Sequence, residues 1–452
     1  AALRMGQLAE CLDAITPGWP KRLDERLFVA GADDNPVYLD SAARLFAFID
    51  ARAQVAWTKG ARFITQERFY EHLRMNAARY DSIETLPHWP PMPGTYYMHR
   101  PLPEPCGKLA TLLDFFCPAT PIDRALIQAL ILSPFWGGQP GNRPAFLITG
   151  GEQDQGQGRG VGKSTLVDII SQELAGGSID VAPTDEIAKV KTRLLSGNRC
   201  RVRFARLDNV KTLKFSWADL EGLITASEIS GHALFLGEGR RPNVLTWAIT
   251  LNGASLSKDL AQRVIPVRLG RPQYDATWEG RVREFIRTYR WELIAEIGRT
   301  LEADAPPLTP RSRWSAWEQG VLSRVEDPAA CQAEILARQG AIDDDGEERD
   351  QVAEYFAAQL RALGHDPETD VVLIPAPVAA EWLSQVARKQ YATNAASAHL
   401  NSLCLPRLTR SRTKQARGFI WRGAAASPTS EPGPLEPDRG AAPTPSGLPL
   451  KA

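Results

Sequence analysis

Ala145-Phe146-Leu147-Ile148-Thr149-Gly150-Gly151 leads, through Gly156-Gln157-Gly158-Arg159-Gly160-Val161-Gly162, into Lys163-Ser164-Thr165-Leu166. The first part is an apolar run of strand length. The second is a glycine-rich turn, and the third opens a helix reaching about Leu174. That order is what a phosphate cradle requires. Glycines let backbone N–H groups turn inward around a phosphate with no side chain in the way. The helix N-terminus adds the positive end of its dipole. In such a loop Lys163 reaches the β- and γ-phosphates of ATP, and the Ser164 hydroxyl holds Mg²⁺. The candidate nucleotide-binding residues are Gly158, Gly160, Val161, Gly162, Lys163, Ser164 and Thr165. The strict spacing GxxxxGK[ST] departs in one place: its first glycine falls on Gln157, with Gly156 and Gly158 on either side. The plainer alternative is a flexible loop ahead of an ordinary helix.

Around this stretch, residues 107–300 alternate apolar strands with helices, which points to a parallel α/β sheet. Strands are expected at Arg201–Leu207, Leu245–Leu251 and Val264–Leu269. The first of these ends at Asp208. An acid at the end of a neighbouring strand is what Mg²⁺ needs beside a phosphate loop; otherwise it is an Asp capping a turn. Asn209 follows where many ATP-hydrolysing proteins carry a Glu that polarises water, so the base must come from elsewhere or turnover is slow. Glu221, Glu228 and Glu238 are available, and the sequence does not choose among them. The second strand delivers Asn252, an amide suited to sensing a γ-phosphate, although Asn252-Gly253 is also a turn signal. Arg263 ends a helical run, Lys258 to Arg263, that enters the strand at Val264. In ring-forming motors such an arginine stabilises charge in the neighbouring subunit's nucleotide; on a monomer it is a surface residue. Arg268, inside the last strand, is a sensor or an edge residue.

Composition bounds the classes. The chain has 452 residues, 43% hydrophobic and 23% charged, with 53 basic and 53 acidic side chains. This is ordinary for a globular protein of about three domains. No run of about 18 apolar residues suggests a membrane span, and Ala1 to Glu10 does not read as a signal peptide. Six scattered cysteines form no CxxC pair, which argues against zinc or a disulfide framework. Most are expected to be buried, in a reducing cytoplasm. Residues 1–106 read as a small α+β region, with strands at Arg26–Val29 and Val37–Leu39. A helix capped by Ser41 follows, then one over Gln66–Tyr80, and a Pro-rich connector from Pro87 to Pro105. A further helix is expected over Ile122–Leu132. Residues 301–370 read as helical with an acidic linker at Asp343–Glu348, 371–423 as a small basic domain, and 424–452 as a disordered tail.

The order strand–phosphate loop, strand–Asp208, strand–Asn252, helix–Arg263 resembles superfamily 3 helicases of the AAA+ class. It is most similar to the primase-associated helicase domains of phages and mobile elements. Leu207-Asp208-Asn209-Val210, Leu236-Gly237-Glu238, Pro242-Asn243, Trp247 and Asp259-Leu260-Ala261-Gln262-Arg263 carry the likeness, clearest over 107–272. Pro87-His88-Trp89-Pro90-Pro91 and Trp314-Ser315-Ala316-Trp317 look similar too. The resemblance implies a P-loop, AAA+-like parallel sheet core between the α+β N-terminal region and a winged-helix-like C-terminal domain. It makes Asp208 the Walker B acid, Asn252 the sensor amide and Arg263 the finger. Leu251-Asn252-Gly253 departs from the family's Gly-Asn-Asn, and Gln262 is unusual before the finger.

Two places suit DNA. A hairpin within His232–Asn243 would point Arg240 and Arg241 into a ring pore to grip phosphates; the alternative is a solvated turn. The block Pro375–Gly423 carries eight basic residues (Arg388, Lys389, Arg407, Arg410, Arg412, Lys414, Arg417, Arg422) against the single acidic Glu381. Helices at Val378–Lys389 and Asn394–Leu403, then strands at Arg407–Thr409 and Gly418–Trp421, look like a winged helix. Arg410, Arg412, Lys414 and Arg417 would sit on its wing. The expectation is a DNA helicase using ATP and Mg²⁺ on single-stranded or forked DNA, in a homo-oligomeric, possibly hexameric ring, with a primase as partner or fusion. An ATP-switched initiator or loader is the alternative, and an ATPase for a non-DNA substrate the third reading.

Overall fold

The computed structural model describes residues 3–435 except 32–34, 58–59, 61–62, 142, 151–161, 183, 197–201, 211–213, 216–217, 234–236, 252–254, 257, 271–276, 343–344, 388, 404, 406, 413–416 and 426–431. Two compact units emerge. The first comprises Ala1–Asp208, Asp219–Thr250 and Ile265–Ile335. The second comprises Asn209–Ala218, Leu251–Val264 and Leu336–Ala452.

The chain begins with α1 (Met5–Ile15), β1 (Lys21–Leu23), β2 (Arg26–Ala30), β3 (Pro36–Leu39), α2 (Ala42–Asp50), α3 (Gln66–Asn76) and β4 (Arg79–Tyr80). Alternation in Arg26-Leu27-Phe28-Val29 sends Leu27 and Val29 to one face, where they pack with Leu39, Phe46, Ile49, Phe69 and Leu73. Phe28 faces the other way, toward Ile83 and Met98. Ser41 caps α2 by accepting from the Arg44 N–H, as expected. The helix expected over Gln66–Tyr80 stops at Asn76, because Arg79–Tyr80 is taken into the sheet beside β1.

β5 (Ser82–Glu84) and β6 (Thr95–Tyr97) pair in parallel. The stretch between them is no exposed connector. Leu86, His88 and Trp89 are buried. Arg203, 1% exposed, draws the segment in: it forms an ion pair with Glu84 at 3.0 Å and donates to the Pro87 carbonyl at 2.7 Å. Burial, with Arg203 and Arg143 nearby, holds His88 well below its ordinary pKa and therefore neutral. Burial also pushes Arg143 down to about 9, helped by Arg203. Gly298 completes the seat for Trp89, because a Cβ there would collide with the indole.

α4 (Lys108–Asp114) and α5 (Pro121–Leu132) precede the main sheet. Thr120 and Pro121 start α5 one residue before the expected Ile122. Then follow β7 (Ala145–Gly150), α6 (Lys163–Ile169, continuing as a π turn to Leu174), β8 (Ser178–Asp180), α7 (Ile187–Leu195), β9 (Phe204–Val210), β10 (Lys214–Phe215), α8 (Ala218–Thr225), β11 (Glu228–Ala233), β12 (Gly237–Pro242), β13 (Thr246–Leu251), β14 (Ser255–Leu256), α9 (Lys258–Ala261), β15 (Val264–Leu269) and α10 (Trp278–Glu302). Five strands form the sheet in the order β15-β7-β13-β9-β8, and the described pairings β13–β7 and β8–β9 are parallel. The fold is thus α/β with a parallel five-stranded sheet. β7 is an interior strand and its first four residues are buried, which suits the unbroken apolar run read there. β9 runs to Val210, past the expected end at Leu207, so Asp208 and Asn209 lie inside the strand. Within α11 (Ser315–Gly320), Trp317 is fully buried, edge-on to Phe146 of β7 and donating to Ser133 at 3.0 Å.

The second unit contains α13 (Asp345–Ala362), which follows α12 (Pro328–Ile342). It continues with β16 (Val371–Pro375), α14 (Ala376–Ala387), α15 (Thr393–Leu403), β17 (Leu408–Arg412), β18 (Arg417–Arg422) and β19 (Gly433–Pro434). Phe356, Leu360, Ile374, Trp382, Leu383, Leu400, Phe419 and Trp421 form its core. The sheet order is β17-β18-β16-β19. Gly433–Pro434 pairs with β16, so the expected disordered tail contains at least this ordered piece. Of the described cysteines only Cys331 is buried. Cys11 and Cys106 are exposed and Cys117 half-buried, against the expectation of mostly buried thiols.

Candidate functional site

α6 begins at Gly162, whose φ of +83° is left-handed and favours glycine there. Lys163 is buried at 7% exposure, while Ser164 on the next position is exposed. The Ser164 hydroxyl donates to Asp208 Oδ1 at 2.6 Å. The Thr250 hydroxyl, on β13 between β7 and β9, donates to the same carboxylate oxygen. Three elements far apart in sequence therefore bring three oxygen-bearing side chains to one point beside the centre of the sheet.

Behind the triad is a cavity of about 20 Å³ lined by Ser164, Val167, Arg206, Leu207, Asp208, Ala248 and Thr250. A space of that size admits one water-sized occupant. Hard oxygen donors, one of them a carboxylate, suit Mg²⁺, which takes one or two carboxylates and completes its shell with water and phosphate. The site residues therefore fit that ion. Among the described residues no cluster of three or more His, Cys, Asp or Glu forms a self-sufficient metal cage.

Lys163, Ser164 and Thr165 thus head one helix behind Gly162, and Asp208 meets Ser164. Gly158, Gly160, Val161, Asn252 and Lys414 lie outside the described residues. Arg263 is not on the helix; it sits in the turn after α9, which ends at Ala261. Its side chain is 17% exposed, 3.9 Å from Asp259 Oδ1, and donates to the Asp259 carbonyl. Arg268 donates its backbone N–H to Asp123 Oδ1 at 2.8 Å. Of the three candidate bases, Glu221 is buried on α8, and Glu228 and Glu238 are exposed on the β11–β12 pair.

The hairpin expected within His232–Asn243 forms as β11 and β12, in antiparallel register Ser230↔Arg240 and Ile229↔Arg241. The alternation of a strand separates the two arginines. Arg240 is exposed. Arg241 is 8% exposed and donates to the Val202 carbonyl at 3.1 Å. Arg241 is therefore a packing residue and is removed from the phosphate-gripping set. On the basic module, Arg410 and Arg417 are exposed on β17 and β18, and Arg412 pairs in register with Arg417. Arg407 is engaged by Glu368 at 2.5 Å.

Thr250, Arg206 and Asp168 were missed by sequence reasoning. A hydroxyl on the apolar strand that carries the neighbouring phosphate-loop sheet forward, next to the end of that strand, is the signal that points to Thr250.

No family model matches this chain, and no curated protein does. Among solved structures, the apo C-terminal region of NrS-1 is similar. One form is 10% identical with a TM-score of 0.43, covering 91% of this chain and 97% of that one. Another, of residues 305–718, is 11% identical with a TM-score of 0.42, covering 90% and 96%. The likeness is too remote to assign a function. No described helix is long and apolar enough to cross a membrane.

Proposed function

We propose that this chain is an ATP-hydrolysing motor that moves on DNA, of the superfamily 3 helicase type that serves phage or mobile-element replication. The observation that carries the reading is the 2.6 Å contact between Ser164, at the head of the helix after the glycine-rich turn, and Asp208. Lys163 would neutralise the β- and γ-phosphates, and backbone N–H groups at the head of α6 would orient them. Ser164 and Asp208 would hold Mg²⁺, with Thr250 fixing the carboxylate. The ion, when bound, offsets charge developing on the transferred phosphoryl group. Asn252 would sense the γ-phosphate and Arg263 would act across a homo-oligomeric ring.

DNA phosphates would be gripped by Arg240 on the hairpin and by Arg410, Arg412, Lys414 and Arg417 on the C-terminal module. That module's helix pair and basic hairpin support a winged-helix reading. A primase would act alongside or be fused. The test is ATP turnover with and without single-stranded DNA, for the intact chain and Lys163→Ala, followed by fork unwinding. DNA-stimulated turnover that Lys163→Ala abolishes, with unwinding, supports the motor; no turnover and no unwinding rejects it. Asn209, in place of the usual acid, favours the second reading, an ATP-switched initiator or loader, for which DNA binding without turnover is the expected result.

A further inference from the structure

The Ser164–Asp208 contact has a second pair of charges beneath it. Ser164 and Asp168 are one turn apart on α6, about 6 Å of rise. Asp208 and Arg206 are two residues apart on β9, about 6.6 Å and on one face. Ser164 pairs with Asp208, and Asp168 pairs with Arg206. Helix and strand are joined by two rungs at nearly equal spacing. The lower rung is the more enclosed, with Arg206 and Asp168 side chains 18% and 30% exposed. Arg206 also holds Asp180 of β8 through Nε at 2.7 Å. Asp168 accepts a second cation, Arg283 of α10, which also meets Glu173 at 3.1 Å. Arg287 binds Glu173 at 2.7 Å, and Arg290 donates to the Leu174 carbonyl at 3.2 Å. Arginines at 283, 287 and 290 thus strap α10 along the phosphate-loop helix.

A cation taking both Ser164 and Asp208 as ligands engages a hydroxyl lone pair and a carboxylate oxygen, so the spacing of these two oxygens is set by the ion's shell and no longer by the hydrogen bond alone. Mg²⁺ also demands near-ideal octahedral geometry. Something other than the upper rung must then fix the separation of helix and strand. We propose that Asp168 and Arg206 are positioning residues that set this separation for the cation, and that Arg283 ties the setting to α10. The inference rests on the nucleotide-site reading above.

The test uses the full chain and ATP itself. ATP binding is measured by calorimetry in chelator and in Mg²⁺ for wild type, Arg206→Met, Arg206→Lys, Asp168→Asn and the double variant Arg206→Met/Asp168→Asn. Removing a group that orients a metal ligand typically costs about 10- to 100-fold in metal affinity. Arg206→Met should therefore shrink the Mg²⁺-dependent gain in ATP affinity by about tenfold or more, with affinity in chelator held within about twofold. Arg206→Lys should recover part of the gain. The double variant should be no worse than the poorer single one, because the residues act through each other. A wild-type Mg²⁺ gain in Arg206→Met, equal losses with and without Mg²⁺, or additive single effects would overturn the inference and leave the site reading standing. Wild type that binds no ATP in Mg²⁺ would remove both.

Discussion

Thr250 offers a direct probe of the proposed cation site, because its hydroxyl donates to Asp208. The side chain is 3% exposed on β13, two residues after fully enclosed Ala248. Thr250→Val keeps the branched shape and removes only the donor. A hydrogen bond to a charged acceptor contributes about 1.5–3 kcal/mol. Asp208 is exposed, so water replaces part of what is lost, and about 1.5 kcal/mol is the appropriate figure. If the hydroxyl fixes the carboxylate for a cation, this becomes about a tenfold weaker binding of ATP in Mg²⁺. Thr250→Ser, which restores the donor without the methyl, should recover most of it. The assay is calorimetric titration of ATP in Mg²⁺ and in chelator, beside thermal unfolding to confirm that the fold persists. Unchanged affinity in Thr250→Val, or equal defects in the Val and Ser variants, would refute the reasoning, since then the methyl contact or nothing at all is what matters.

Glu296, 9% exposed on α10, accepts the N–H groups of Cys106, Lys108 and Leu109 at 2.6–2.9 Å and so caps α4 across the sequence. Glu296→Gln turns one acceptor into a donor facing a donor. It should cost about 3 kcal/mol and lower Tm by about 6 °C, checked by calorimetric unfolding; a shift under about 1 °C would count against the cap. Asp168 lies below the ordinary carboxylate range: burial raises it, but hydrogen bonds from Arg283 and Arg206 outweigh that. Glu173 is lowered chiefly by Arg287, against some burial. Such groups add stability that is complete above their unfolded pKa of about 4 and is lost as pH falls through the depressed values. Asp168→Asn should therefore lower Tm at pH 7 and lose less on acidification than wild type; parallel pH profiles would contradict this. Finally, Arg240→Ala should weaken DNA binding at low salt and reduce the salt slope by about one, leaving Tm unchanged. Arg241→Ala should lower Tm by several degrees instead, as read by anisotropy and thermal unfolding of both variants.

What the sequence made legible follows from how local each signal is. The strand at Ala145, the cap at Ser41 and the basic hairpin of the C-terminal module depend on neighbours within a few residues, and the structure has them. The strand ending at Leu207 was misjudged because Asp and Asn are poor strand formers. Pairing between β9 and its neighbours overrides that propensity and carries the strand to Val210. The Pro87–Pro105 stretch reads as a connector by composition, yet its first three residues are buried against Arg203, over a hundred residues away, which no local pattern announces. Arg240 and Arg241 look equivalent as adjacent cations, and only a β11–β12 register assigns one to solvent and the other to the Val202 carbonyl. The site shows the same division. Lys163-Ser164 is read from a contiguous motif, whereas Thr250, Asp168 and Arg206 acquire meaning only once β7, β9 and β13 lie side by side. The residues proposed to bind are written locally. Those that hold the binding residues in place are spread over the chain, because a position in space must be fixed from several directions at once.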